Sequence, residues 1–251
     1  MGRRLVTLAH TDPELTVAAA IEAPAHPRLG QDAGAIAGVG PIGVPLSGKL
    51  DAPVDVVIDF SVPAGVQAIV GACVERGIPL VVATTGLSDA QQQLLHTAAE
   101  QIPLLWAPSM SLAVNLTMKL VQMAATALAR HPSGADVEII ESHHRYKEDA
   151  PSGTALKFGQ IVAEAMGQTE QRHGREGRPG KRPHGEIGYH AIRAGDDPGR
   201  HTILFGLLGE SIELTVRATN RDCYAHGALA AAKFLANKPA GLYNMADVLE
   251  L

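Results

Sequence analysis

The chain has 251 residues and only two cysteines, Cys73 and Cys223, which sit in different segments and form no Cys-x-x-Cys pair. A disulfide framework and a cysteine-based zinc site are excluded, and a reducing compartment is expected. Excess charge of one sign is also lacking. The formal net charge is −5 and no basic run exceeds a few residues, which argues against a nucleic-acid partner. Long apolar runs are missing too. The longest apolar tract, "LAVNLTMKLVQMAATALA", carries Asn115 and Lys119 and alternates as an amphipathic helix does, so no membrane span is expected. The opening "MGRRLVTLAH" has no apolar stretch of signal-peptide length, and Val6 stands where a myristoylation site needs Ser or Thr. A cytoplasmic protein is the expectation. There is no internal repeat and no low-complexity tract.

What is present reads as an ordinary globular chain, 46% hydrophobic and 19% charged, long enough for one large domain or two small ones. In the first half, "TVAAAIE" (16–22), "VDVVIDF" (54–60), "IPLVVATTG" (78–86) and "IPLLWAP" (102–108) read as buried strands. Between them, residues 63–77 and 87–101 have helical spacing, with Pro63 suited to a first turn and Ser88 to an N-cap. Apolar strands alternating with helices predict an α/β fold with a doubly wound parallel sheet. After a helix near 112–129 comes the strand "DVEIIES" (136–142), then a helix over 154–166. Three further strand-like runs, 186–195, 200–208 and 211–219, follow without helices between them. They predict an antiparallel meander in an α+β second domain. The last helix, 224–236, is Ala-rich and expected to return to the first domain. The basic, Gly- and Pro-rich stretch Arg172–Gly185 reads as a mobile loop able to hold an anion or to close over a site.

The densest chemistry lies in "ESHHRYKEDAPSGTA", Glu141–Ala155. His143 and His144 end a strand and point to opposite faces, so at most one is expected to face a given cleft. Ser152 is a good N-cap, Gly153 permits close approach to the backbone, and Thr154 opens a helix whose free amides form an anion site. Lys147 adds a positive charge nearby. Together they describe a carboxylate or phosphate pocket beside an imidazole that can donate a proton. A turn and cap with no ligand, or metal ligation by His143, His144 and Asp149, would use the same residues; no second cluster completes a metal site.

"EIIESHHRYKEDAPSGTA" resembles the signature of the dihydrodipicolinate reductases of bacterial lysine and diaminopimelate synthesis. "VDVVIDFSVPAG", "ATTGLSDAQ", "APSMSLAVN", "GEIGYHAIRAG", "HTILF" and "GALAAAKFL" extend the resemblance over essentially the whole chain. It implies a Rossmann-like domain over residues 1–111, a substrate-binding and tetramerisation domain with an open mixed sheet over 112–220, and a returning C-terminal helix in 221–251. It also implies an oxidoreductase using NADH or NADPH on a cyclic imine dicarboxylate, assembled as a homotetramer. On that resemblance His143 is the general acid and Lys147 offsets growing negative charge. His144 orients substrate, and Ser152, Gly153 and Thr154 hold a carboxylate. Glu22 takes the adenosine ribose, with Ala23 in place of an Arg tilting the preference towards NADH. Ala83, Thr84, Thr85 and Gly86 pass under the nicotinamide ribose, and Ser109, Met110 and Ser111 line the nicotinamide side.

The family's opening Gly-rich turn is represented here only by Met1 and Gly2. The first strand and most of the phosphate-cradling glycines are therefore expected to be missing from the sheet. Two expectations follow. Either the natural start lies roughly 15–20 residues upstream, a strand plus a turn, or this is a truncated reductase-like chain that binds dicarboxylate or assembles without transferring hydride. A metal-dependent hydrolase is a third, weaker expectation.

Overall fold

The computed structural model describes all 251 residues. The chain divides into two compact units, one made of Met1–Leu112 with Asp222–Leu251 and the other of Ala113–Arg221.

The first unit begins directly with α1 (Gly2–Thr11), followed by β1 (Ala20–Ile21), α2 (Ala33–Ala37), β2 (Leu46–Ser47) and β3 (Val57–Asp59). Then come α3 (Pro63–Arg76), β4 (Leu80–Val82), α4 (Asp89–Ala99) and β5 (Pro103–Trp106). Local chemistry sets these boundaries. Pro63 occupies the first turn of α3, and Gly77 ends it in the left-handed region at φ 64°. Ser88 and Gln91 form a reciprocal capping box at the start of α4.

β3, β4 and β5 run parallel, and β11 (Gly241–Tyr243) joins beyond β5, giving the order β11-β5-β4-β3. One face of this sheet packs on α3 and α4 through Val66, Val70, Leu80, Leu95, Ile102 and Leu104. The other packs on α7 (Asp222–Leu235) and α8 (Met245–Val248) through Val81, Leu105, Ala228, Ala231 and Leu235. Helices on both faces of a parallel sheet make this a doubly wound unit, as the alternation in sequence predicts. Leu80, Leu95, Ile102 and Leu104 are wholly buried, so trimming one to Ala would cost about 2–5 kcal/mol. Burial also pushes the Cys73 thiol up to about 12, leaving it an unreactive packing residue.

β1 and β2 form a separate parallel pair, and β3 is bonded on one side only.

The second unit contains most of α5 (Leu112–Leu128), then β6 (Asp136–His143), α6 (Gly153–Met166), β7 (Glu170–His173), β8 (Glu186–Arg193), β9 (Arg200–Gly206) and β10 (Ser211–Arg217). Its sheet has the order β10-β9-β6-β8-β7. This corrects the meander. β9 and β10 are an antiparallel hairpin, but β6 lies between β9 and β8, and β8 runs parallel to both β6 and β7. The long 194–199 connection therefore carries the chain over β6. Inward residues Val137, Ile139, Ile187, Tyr189, Ile203 and Phe205 pack against Val121, Phe158 and Val162 of the two helices.

Two arginines of the basic loop are paired on the sheet. Arg175 donates to Glu138 at 2.6 and 2.9 Å and also pairs with Glu186, while Arg182 donates to Glu138 at 3.0 Å and to Asp136 at 2.7 Å. Burial would raise the Glu138 carboxyl, but Arg175, His190 and Arg182 outweigh it and hold it at about 2. These two arginines are committed to carboxylates on the sheet and pin the loop there, so they are not a free anion trap. No helix is long and apolar enough to cross a membrane.

Candidate active site

β6 has a two-residue side-chain period, so Glu141 and His143 share its inner face, and His144 follows the strand's last residue. Glu141 is buried to 1% exposure and His143 to 9%. His143 Nδ1 lies 2.5 Å from Glu141 Oε2. The Arg193 guanidinium, brought opposite His143 by the parallel register of β6 and β8, donates to both Glu141 oxygens at 2.7 and 2.8 Å. Burial alone would raise the Glu141 carboxyl; the bonds from Arg193 and His143 hold it below the usual carboxylate range.

The other side of this cluster is the start of α6. Ser152 N–H donates to Glu141 Oε1 at 3.1 Å, its Oγ accepts from Ala155 N–H at 3.2 Å, and the same Oγ lies 2.9 Å from His201 Nε2. Every polar group of Ser152 is thus engaged within the protein. The amides of Gly153 and Thr154, in the first turn, are the donors left for an anion, and a Cβ on Gly153 would meet only open space.

His201 stands edge-on to His143 with ring centroids 5.1 Å apart. Burial, and secondarily the nearby His143, push His201 down to about 4, so it is a neutral ring. Lys147 Nζ donates to both oxygens of Asp149 at 2.7 and 2.9 Å. His144 Nδ1 is buried without a partner, and its Nε2 lies 3.4 Å from Arg221. His143, His144 and Asp149 do not converge, and no group of three His, Cys, Asp or Glu side chains comes together as a metal site.

In the first unit the other residues expected at a site, apart from Met1 and Gly2, lie at or beyond the carboxyl ends of the parallel strands. Glu22 follows β1, is exposed, and accepts the Ala23 N–H at 3.0 Å. Ala83–Gly86 follow β4. Thr84 is buried and donates its hydroxyl to Asp59 at 2.8 Å, whereas Thr85 and Gly86 are exposed, Gly86 at φ 73° with open space where a side chain would stand. Ser109 and Ser111 are joined by a 3.4 Å bond beyond β5, and the Met110 side chain is buried in the core between sheet and α7. Met1 is the N-cap of α1, and Gly2 is its first residue.

Family models described as the N-terminus and the C-terminus of dihydrodipicolinate reductase match residues 1–110 and 113–249. The chain belongs to this family. It is 56% identical to the 4-hydroxy-tetrahydrodipicolinate reductase of Rhodopirellula baltica, over 99% of this chain and 92% of the relative. It is 44% identical to that of Halorhodospira halophila, over 99% and 94%. Among solved structures it resembles a dipicolinate-bound dihydrodipicolinate reductase from Paenisporosarcina sp. TG-14 at 25% identity and a TM-score of 0.78, covering 98% of this chain and 94% of that one.

Within this reductase-family chain, the sequence reading passed over Glu141, Arg193, His201 and Gly199. Glu141 carried a readable signal, because a residue two before His143 on a strand must share its face. The other three come from strands or connections whose pairing is non-local.

Proposed function

We propose that the chain reduces 4-hydroxy-tetrahydrodipicolinate, through its dehydrated form, to tetrahydrodipicolinate in lysine and diaminopimelate synthesis, with a nicotinamide nucleotide as reductant. The observation that carries this reading is one cluster. A carboxylate-held imidazole, His143, stands on the same Glu141 that accepts the Ser152 amide, next to the unpartnered Gly153 and Thr154 amides.

The residues present fit a nicotinamide nucleotide. Glu22 offers an exposed carboxylate for the adenosine ribose, Gly86 leaves room for close approach, and the amides in the first turn of α1 would hold a phosphate. Around Thr84 and Met110 only backbone is available, since the Thr84 hydroxyl and the Met110 side chain are taken up internally. When bound, the cofactor supplies the hydride. The substrate's carboxylates are held by the Gly153 and Thr154 amides and the Thr154 hydroxyl. Lys147 exchanges Asp149 for the substrate dianion, and His144 borders it. His143 then gives its Nε2 proton to the electron-rich ring position left by reduction. The Glu22 carboxylate, followed by Ala23 with no Arg to take a 2′-phosphate, favours NADH. On this reading the protein works in the cytoplasm as a homotetramer.

Steady-state oxidation of NADH and of NADPH with enzymatically generated 4-hydroxy-tetrahydrodipicolinate tests the reading, alongside calorimetric titration with pyridine-2,6-dicarboxylate. Turnover with both, at a larger kcat/KM for NADH, is expected. Binding of the dicarboxylate without turnover would replace this reading with that of a binding or assembly protein. Absence of both would remove it.

A further inference from the structure

Glu141 has no assigned part in the chemistry, yet it touches more of the site than any other side chain. One oxygen, Oε1, takes the Ser152 amide at 3.1 Å and Arg193 Nη2 at 2.7 Å; the other, Oε2, takes Arg193 Nη1 at 2.8 Å and faces His143 Nδ1 at 2.5 Å. An ionised carboxylate carries no proton, so the hydrogen in the last contact resides on Nδ1. The neutral ring is then the Nδ1–H tautomer, and Nε2 is the nitrogen that gains and gives the mobile proton. Nε2 points to Gly199, where a Cβ would come within 2.9 Å of it. A glycine there is what leaves room for the nitrogen.

We propose that Glu141, locked by Arg193, is the positioning residue that fixes the tautomer of His143 and ties it to the substrate-holding start of α6. This rests on the reductase reading above for the identity of the reaction. Two other groups face the ring, Arg193 from β8 and the neutral His201 from β9; neither contacts Nδ1. Arg193 can only donate, and its guanidinium is also held by the Asp149 carbonyl at 2.6 Å. Glu141 is therefore the acceptor that decides which ring nitrogen carries hydrogen.

The conservative change Glu141→Gln gives a specific outcome. The Ser152 amide and Arg193 Nη2 both donate to the Oε1 position, so the new side chain keeps its oxygen there, gives up the Arg193 Nη1 bond and turns its NH₂ towards Nδ1. A donor facing Nδ1 forces the hydrogen to Nε2 and opposes the doubly protonated ring. In Ser-His-Asp enzymes the equivalent amide substitution lowers kcat by about 10⁴ through the wrong tautomer. Here a loss of at least ~100-fold in kcat is expected, with pyridine-2,6-dicarboxylate affinity changed less than ~3-fold, because the free amides of α6 stay in place.

The decisive measurement is long-range ¹H–¹⁵N NMR of histidine-labelled protein at pH 8, with the His143 signals assigned by their loss in His143→Gln. The wild-type ring should show a protonated Nδ1 and a bare Nε2, and Glu141→Gln should reverse them. Glu141→Gln added to His143→Gln should lower kcat by less than ~3-fold more, since both act through one proton. A wild-type ring protonated on Nε2 overturns the proposal even if Glu141→Gln does not fold, and so do additive losses in the double variant. Failure of the wild type to turn over substrate would instead overturn the reductase reading, which the tautomer measurement does not depend on.

Discussion

His143 and His201 stand 5.1 Å apart with their rings nearly perpendicular, yet their surroundings assign them opposite duties. His143 has a carboxylate on one nitrogen and the side-chain-free Gly199 beside the other. His201 is enclosed, held to Ser152 Oγ, and pushed down to about 4 by burial. A histidine whose folded pKa lies below its unfolded value of ~6.5 costs stability as the pH falls. Between roughly pH 6.5 and 4 the unfolded chain binds a proton that the folded chain refuses, so this contribution is complete above ~6.5 and declines towards ~4, at up to about 1.4 kcal/mol per pH unit. Urea unfolding of His201→Gln should therefore give a flatter dependence on pH than the wild type, the two curves converging towards the acid end. Curves that run parallel from pH 8 to 4.5 would show that His201 is not the residue responsible. Gly199 belongs to the same scale. It is buried at φ 146°, and a methyl there would stand 2.9 Å from His143 Nε2. Gly199→Ala should cut kcat by roughly 10- to 100-fold through misplacement of the ring, and unchanged kcat in a folded variant would mean that the ring does not depend on the close approach of Gly199. Neither residue announced itself in sequence, because each is joined to His143 by contacts across 56 or more residues.

At the scale of elements, most of the architecture was readable because its signals are local. Pro63 and Gly77 bound α3, Ser88 and Gln91 cap α4, and the β-branched run at 54–60 and the apolar one at 78–86 contain β3 and β4. Pairing is a different kind of information. Three consecutive strand-like runs suit a meander, and nothing local reports that β6 slots between β8 and β9. That same insertion brings Arg193 beside Glu141, so the error in topology and the missed guanidinium have one cause. A glycine inside α7 shows the same limit. A Cβ on Gly227 would lie 1.7 Å from the Met110 carbonyl oxygen, so α7 can pack against the β5–α5 connection only without a side chain there. Gly227→Ala must push back the 109–111 segment. Overpacking of this kind costs about 1–3 kcal/mol, and the displaced segment is the one assigned to the nicotinamide side. The expected result is a lower melting temperature and weaker NADH binding by calorimetry, with pyridine-2,6-dicarboxylate affinity preserved. Equal loss of both ligands would argue that the change is not confined to that segment.

At the scale of the molecule, the question is what covers the outer face of the five-stranded sheet. Its two edges are poorly suited to adding another strand: β7 is exposed along its whole length and reads Glu-Gln-Arg-His, and β10 carries Glu213 and Arg217. Charged edges of this kind discourage edge-to-edge pairing. The face between them is different. Ile140, Thr202, Leu204 and Thr215 occupy outward positions on β6, β9 and β10, Thr202 and Thr215 joined at 3.0 Å, and Ile192 of β8 is 43% exposed. The same face also carries Glu138, held by Arg175, Arg182 and His190, and Glu213 beside Leu204, so the uncharged part is a patch centred on Thr202 and Thr215; a closed symmetric assembly buries such a patch without leaving a free copy. Four chains of 26.3 kDa should sediment as a species of about 105 kDa. Thr202→Arg places a long cation mid-face while leaving the inward core residues Ile203 and Phe205 untouched. It should yield smaller species with native circular dichroism. A wild-type chain that sediments at its own mass would refute the assembly, and a Thr202→Arg variant that stays at about four times that mass would move its surface elsewhere.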